Sequence, residues 1–131
     1  MNKKVSSSMK NKEYAQYLCI EARNSCVSKR AEVSIREWKP VENMCHHNVS
    51  IWCANNPSYT PVRGWLYFNL PGFPHVKFVS HSVVRAPDKE LYDITPSNAS
   101  KDYPFVESNL SEEEYAELIE IQGVTEIVHA E

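Results

Sequence analysis

Glu42-Asn43-Met44-Cys45-His46-His47-Asn48-Val49-Ser50-Ile51-Trp52-Cys53 is the stretch on which the reading of the whole chain turns. Pro40 ahead of it and Asn55-Asn56-Pro57-Ser58 behind it bound one short helix. Asn43 is the expected N-cap, which sets Cys45 in the first helical turn. The free N–H groups and positive dipole end of a helix start favour thiolate over thiol, so a cysteine there is a candidate nucleophile.

Downstream of this helix the pattern turns extended. Val62 to Leu70 is rich in aromatic and branched residues and predicts a strand, with Gly64 marking a bulge or a close backbone approach. Pro71-Gly72-Phe73-Pro74 predicts a turn, and His75 to Arg85 a second strand. Ala86 to Glu90 reads as a hairpin loop and Leu91 to Ile94 as a third strand. If Pro87-Asp88-Lys89 is the loop, Asp93 lies opposite Val83, two positions along from His81. Residues two apart on a strand share a face, so His81 and Asp93 become diagonal neighbours. A carboxylate so placed fixes the tautomer of the imidazole and leaves its other nitrogen for Cys45. Cysteine, histidine and aspartate then form a nucleophile, its base and the base's orienter.

The remaining elements fit around these. Residues 11–24 predict a helix with Tyr14, Tyr17, Leu18 and Ala22 on its apolar side. Ala31 to Trp38 alternates and predicts a short strand or an extended entry, while Ser111-Glu112-Glu113-Glu114 is a capping box that opens a helix running to about Ile121. Val124 to Val128 is expected as a final strand. The order is α+β, a cysteine-bearing helix packed on an antiparallel sheet. Residues 1–10 read as a disordered basic tail and residues 11–131 as a single domain.

Composition narrows the function. With 131 residues, 42% hydrophobic, 24% charged and a net charge of −3, the chain is an ordinary globular domain rather than a nucleic-acid binder. Residues 1–40 hold nine Lys/Arg against four Glu, and the remainder five against thirteen Asp/Glu, which reads as a basic tail and a solvated helix face. No apolar run approaches the ~20 residues of a membrane span, and no signal peptide precedes the helix, so a cytoplasmic location is expected. Cys45 and Cys53 stand ~12 Å apart along one helix, too far to bridge, and Cys19 and Cys26 fail likewise; they are expected to be small buried hydrophobes.

The same residues carry a resemblance. Cys45 on a helix start, His81 on a strand and Asp93 on the next one resemble the papain-like and transglutaminase-like thiol hydrolase superfamily. Within it, Cys45, Asn48 and Val49, then His81-Ser82-Val83-Val84 and Tyr92-Asp93, are similar to the motifs of protein N-terminal glutamine amidohydrolases. The likeness spans residues 43–105, on a shorter chain with a tighter His-to-Asp interval. It implies a helix-on-sheet core and a Cys45–His81–Asp93 triad acting on an amide bond of a peptide, a protein side chain or a small amide, with no cofactor. Asn48, Trp65, Ser80 and His46 are the candidate substrate-contacting or supporting residues, and His75 is the other candidate base. The competing readings are a non-enzymatic interaction module, a degenerate member of the same fold, and a zinc domain. The last lacks any Cys-X-X-Cys or His-X-X-X-His pair, so no metal ligands are assigned.

Overall fold

A computed structural model describes residues 7–69, 71–97 and 102–130. Its elements, in chain order, are α1 (Ser7–Ala22), β1 (Lys29–Arg30), α2 (Cys45–Asn55), β2 (Thr60–Phe68), β3 (His75–Arg85), β4 (Leu91–Asp93), β5 (Phe105–Glu107), α3 (Glu112–Ala116) and β6 (Glu126–Ala130). A π-helical turn, Glu117–Ile121, continues α3. The described residues form an α+β fold: three helices and a six-stranded sheet in the order β1-β4-β3-β2-β5, with β6 joined to β3. Every strand pair is antiparallel except β1 with β4. No helix among the described residues is long and apolar enough to cross a membrane.

The β3–β4 hairpin closes over Pro87-Asp88-Lys89. Lys89 N–H donates to the Ala86 carbonyl and Ala86 N–H to the Glu90 carbonyl, with Lys89 in the left-handed region at φ 73°. This is a tight turn ending in a left-handed residue, which fixes the register. Val84 pairs with Tyr92 and Arg85 with Leu91; one step further sets Asp93 against Val83. Strand β2 occupies the opposite edge of β3 from Lys77 to Arg85. Strand β6, paired at 75–79, and β4, paired at 84–85, must therefore share the remaining edge. Between them, among the described residues, His81 and Ser82 face no strand on that side.

Side-chain alternation then divides the core. On one face Trp65, Val76, Phe78 and Val106 pack with Leu18 of α1 and with Tyr115 and Leu118, while Val84 packs with Val49 of α2 and with Ile94. On the other, Val62, Val83 and Phe105 form a smaller cluster with Leu66 and Leu91. Gly64 is a close approach: an added Cβ would collide with the Val106 carbonyl oxygen and the Phe105 ring.

Several expectations need correction. Helix α1 starts at Ser7, ahead of the apolar pattern that begins near Asn11; the basic tail at residues 1–6 lies outside the described residues. Of the two readings of Ala31 to Trp38, a short strand or an extended entry, the strand does not form. The paired segment is Lys29–Arg30, extended by Ala31 N–H to the Asp93 carbonyl; then Arg36 turns left-handed (φ 55°) within an isolated Ile35–Trp38 bridge. Its alternation reflects Ala31 and Val33 lying against the Val49 cluster, a half-buried loop with the period of a strand. Asn43 does not cap α2. It adopts φ 67°, which asparagine tolerates, and Met44 takes the N-cap position with no side-chain hydrogen bond. Cys26 is exposed, its carbonyl accepting from Phe105 N–H; Cys19 is half-buried, and no disulfide forms among the described residues. Strand β5 had no reading in the sequence.

Candidate active site

Met44 leaves the α2 start uncapped, so the first-turn N–H groups are not consumed by a side chain. Cys45 is the first helical residue and is half-buried. His81 lies in the stretch of β3 that is paired on its β2 side alone, and there its imidazole lies beside the Cys45 thiol, each group shifting the other's protonation. On the far side of the ring, His81 Nε2–H donates to Asp93 Oδ2 at 2.7 Å. That bond fixes Nδ1 as the nitrogen left for sulfur. Asp93 is itself held: Thr95 N–H donates to its Oδ1 at 3.1 Å, and Arg30 Nη2 stands 3.9 Å from Oδ2. Arg30 also donates Nη1 to the Thr95 carbonyl at 2.8 Å and pairs with Asp102 at 3.0 Å.

The electrostatics follow from this geometry. Burial pushes the Cys45 thiol up, but hydrogen bonds to His46 and His81 and the His81 charge outweigh it, bringing it from 9.0 to about 6. Burial lowers His81, and the Asp93 and Cys45 partners more than reverse this, raising it from 6.5 to about 9. The two shifts describe one thiolate–imidazolium pair, stable near neutral pH. Cys53, eight residues on, shows the contrast: burial raises its thiol.

Cys45, His46, His81 and Asp93 line one cleft of about 550 Å³. Leu66, Phe68 and Val79 supply an apolar wall, and the Phe68 ring lies against Tyr103, tilted by 37° with ring centroids 4.0 Å apart. The other sequence candidates lie as follows. Ser80 lines the cleft, its Oγ 3.4 Å from His46 Nε2. Asn48 is fully buried: it accepts from Val41 N–H at 3.0 Å and donates to the Val41 carbonyl at 2.8 Å and Thr95 Oγ1 at 3.0 Å. It clips the approach loop and the end of β4 to α2, and so positions the cysteine relative to Asp93. Trp65 is fully buried against α1 and Tyr115, its Nε1–H donating to Tyr14 Oη at 2.8 Å; it is not among the residues that line the cleft. His75 shares a strand with His81 but stands six residues, ~20 Å, away and is exposed at the β6 end.

Two features had no signal in the sequence. Arg63 of β2 reaches across to α2 and α3, donating to Ser82 Oγ (3.0 Å), the His46 carbonyl (3.2 Å), Ser50 Oγ (3.0 Å) and Glu112 Oε1 (2.9 Å). Tyr115 of α3 donates its hydroxyl to the Gly64 carbonyl at 2.7 Å and sets its ring edge-on to His46. Among the described residues, no group of three or more His, Cys, Asp or Glu is arranged to hold a metal ion. In comparisons with known proteins, no family model, no curated protein and no solved structure matches this chain. The site is accordingly read from its own geometry.

Proposed function

We propose that the chain is a cysteine-dependent hydrolase or acyl transferase, acting on an amide bond of a peptide, a protein side chain or a small amide, on a papain-like or transglutaminase-like core. The observation that carries this reading is the His81–Asp93 hydrogen bond of 2.7 Å behind an imidazole whose other nitrogen meets the Cys45 sulfur at a helix start. A buried structural thiol needs no such oriented base.

The chemistry balances as follows. The Cys45 thiolate attacks the carbonyl carbon, and the carbonyl electron pair moves to oxygen, where the Cys45 backbone N–H is available as a donor. The tetrahedral adduct collapses, the C–N bond breaks, and His81 gives its Nδ1 proton to the departing amine. This leaves a thioester on Cys45 and a neutral His81. Water then loses a proton to His81 as it attacks the thioester, releasing acid and restoring the thiolate–imidazolium pair. An amine in place of water makes the same sequence a transfer. Asp93 keeps His81 in the one tautomer that serves both steps.

The test uses an activated ester, p-nitrophenyl acetate, with wild type and Cys45→Ser. The reading predicts a burst of one nitrophenolate per chain and an acetyl adduct on Cys45, both absent in the variant. A wild type with neither burst nor adduct leaves the interaction-module reading in its place.

A further inference from the structure

The cleft continues past the triad along one face of the sheet. Cross-strand partners share a face, and in the β2–β3 register Gly64 stands opposite His81, Leu66 opposite Val79 and Phe68 opposite Lys77. The side chains of His81, Val79, Leu66 and Phe68 therefore project from the same side. Val79 is two residues from His81, about 7 Å along the strand. Val79, Leu66 and Phe68 are half-buried rather than sealed, and all three line the cleft. Lys77, its Nζ 5.4 Å from the centre of the Phe68 ring, ends this apolar strip.

The rim is apolar as well. Val27 and Met44 are among the large hydrophobic side chains left exposed, at 47% and 45%, and both line the same cleft, Met44 directly before Cys45. Apolar surface gathered in a concavity with polar edges is what a ligand covers. The charged lining groups are largely engaged with one another. Arg30 pairs with Asp102 at 3.0 Å and Asp93 with His81 at 2.7 Å, which leaves the exposed carboxylate of Glu42. The cleft volume of about 550 Å³ falls within the range of roughly 300–1,000 Å³ that encloses whole ligands, more room than a small amide fills.

From this arrangement we infer that the site takes an amide with a bulky apolar or aromatic group next to the scissile bond, seated on Val79, Leu66 and Phe68 with Val27 and Met44 at its rim. The inference rests on the thiol-hydrolase reading above and narrows it. The scissile carbonyl has to meet Cys45 beside His81, and the strip begins one same-face residue further on. The group it holds is thus an immediate neighbour of the reacting atoms. A small amide reaches none of these side chains and forgoes their contact, so it is a poor substrate.

The test is alkylation of Cys45 at pH 6 in a Cys26→Ser background, followed by mass spectrometry of the Cys45 peptide. N-methyl-iodoacetamide is compared with N-hexyl-iodoacetamide, and each rate is divided by the rate of the same reagent with glutathione. The inference predicts a hexyl-to-methyl ratio about tenfold above that of glutathione, because the added methylenes gain an apolar wall. Phe68→Ala removes the far end of the strip and should lower that ratio about threefold. Val79→Thr keeps the shape and the strand preference but adds a hydroxyl, and should lower it by a similar factor. A wild-type ratio equal to that of glutathione overturns the inference, as does a raised ratio that both variants leave unchanged. A ratio that falls as protein concentration rises gives the strip to a second copy of this chain and overturns it too. Should Phe68→Ala fail to fold, Val79→Thr decides. The methyl reagent keeps the two claims apart. Fast methyl labelling with a flat ratio defeats this inference alone, whereas a Cys45 no faster than glutathione at pH 6 defeats the hydrolase reading and the inference with it.

Discussion

His81→Gln is the most informative single change, because it keeps an amide near Asp93 and removes the ionisable partner of the thiol. In the wild type, hydrogen bonds to His46 and His81 with the His81 charge overcome burial and hold Cys45 at about 6 rather than 9.0. The variant keeps the burial and the His46 hydrogen bond but loses both contributions of His81. Its midpoint is expected to rise by about two units, equivalent to ~2.7 kcal/mol of lost thiolate stabilisation. At pH 6 the thiolate fraction then falls about 50-fold. A more basic thiolate is also a better nucleophile, and with a Brønsted slope near 0.5 two units return about tenfold in intrinsic rate. The two effects oppose, and the balance changes sign with pH: against a pyridyl disulfide the variant reacts about fivefold more slowly at pH 6 and several-fold faster at pH 9. Stopped-flow profiles in a Cys26→Ser background, which removes the exposed thiol, would show the two curves crossing. Parallel curves, or midpoints within half a unit, would refute the pairing of Cys45 with His81.

Three further outcomes follow from the same geometry. Turnover of an activated ester should be bell-shaped, rising through about 6 as Cys45 ionises and falling through about 9 as His81 loses its proton; a rate that keeps climbing past pH 9 would contradict the ion pair. Asp93→Asn removes the carboxylate that sits 2.7 Å from His81 Nε2, so the upper limb should move down towards 6.5 and the maximal rate fall about 100-fold; an unmoved upper limb would count against Asp93 as orienter. Asn48→Ala leaves the Val41 backbone and the Thr95 hydroxyl short of three hydrogen bonds, two part-buried and one buried, which should cost about 3 kcal/mol and lower the thermal midpoint by about 10 °C. A drop of under about 3 °C in a calorimetric scan would show that the clip contributes little.

How much of this was legible in the sequence depended on how local each signal is. The β3–β4 register was readable because Pro87-Asp88-Lys89 admits few turns and a strand period of two leaves no freedom once the turn is set. The same holds for the capping box, where Ser111 and Glu114 exchange hydrogen bonds as their spacing requires. Asn43 failed as a cap because asparagine suits both the cap and the left-handed position before it, and only the path of the loop chooses. Ala31 to Trp38 failed because burial on one side produces alternation with or without a strand partner. Strand β5 is three residues long and forms on an edge that β2 offers, with Cys26 bridging Phe105. Trp65 was placed on its strand, but the face it buries depends on α1, whose Tyr14 supplies its hydrogen-bond acceptor.

The site divides along the same line. Cys45, His81 and Asp93 each carry a chemical type and a local element, and order along the chain was enough to group them. The hydrogen-bond chain from Arg63 through Ser82 to His46 spans β2, β3 and α2, and none of its members stands out among neighbours of similar polarity. Residue 46 follows 45 on a helix, where side chains diverge by about 100°, so the placement of the His46 ring beside the cleft was not readable from spacing. It arises because the ring is drawn down onto β3 by the hydroxyls of Ser82 and Ser80.

Half-buried Cys45, with His46 and His81 acting on its thiol, is expected to be ionised near neutral pH. Ultraviolet absorbance of the thiolate, titrated in wild type and Cys45→Ser and taken as a difference, measures this without substrate or reagent. The account predicts a single thiolate with a midpoint near 6 that is missing from the variant. A difference spectrum that grows in only above about pH 8.5, as for an ordinary cysteine, would contradict it.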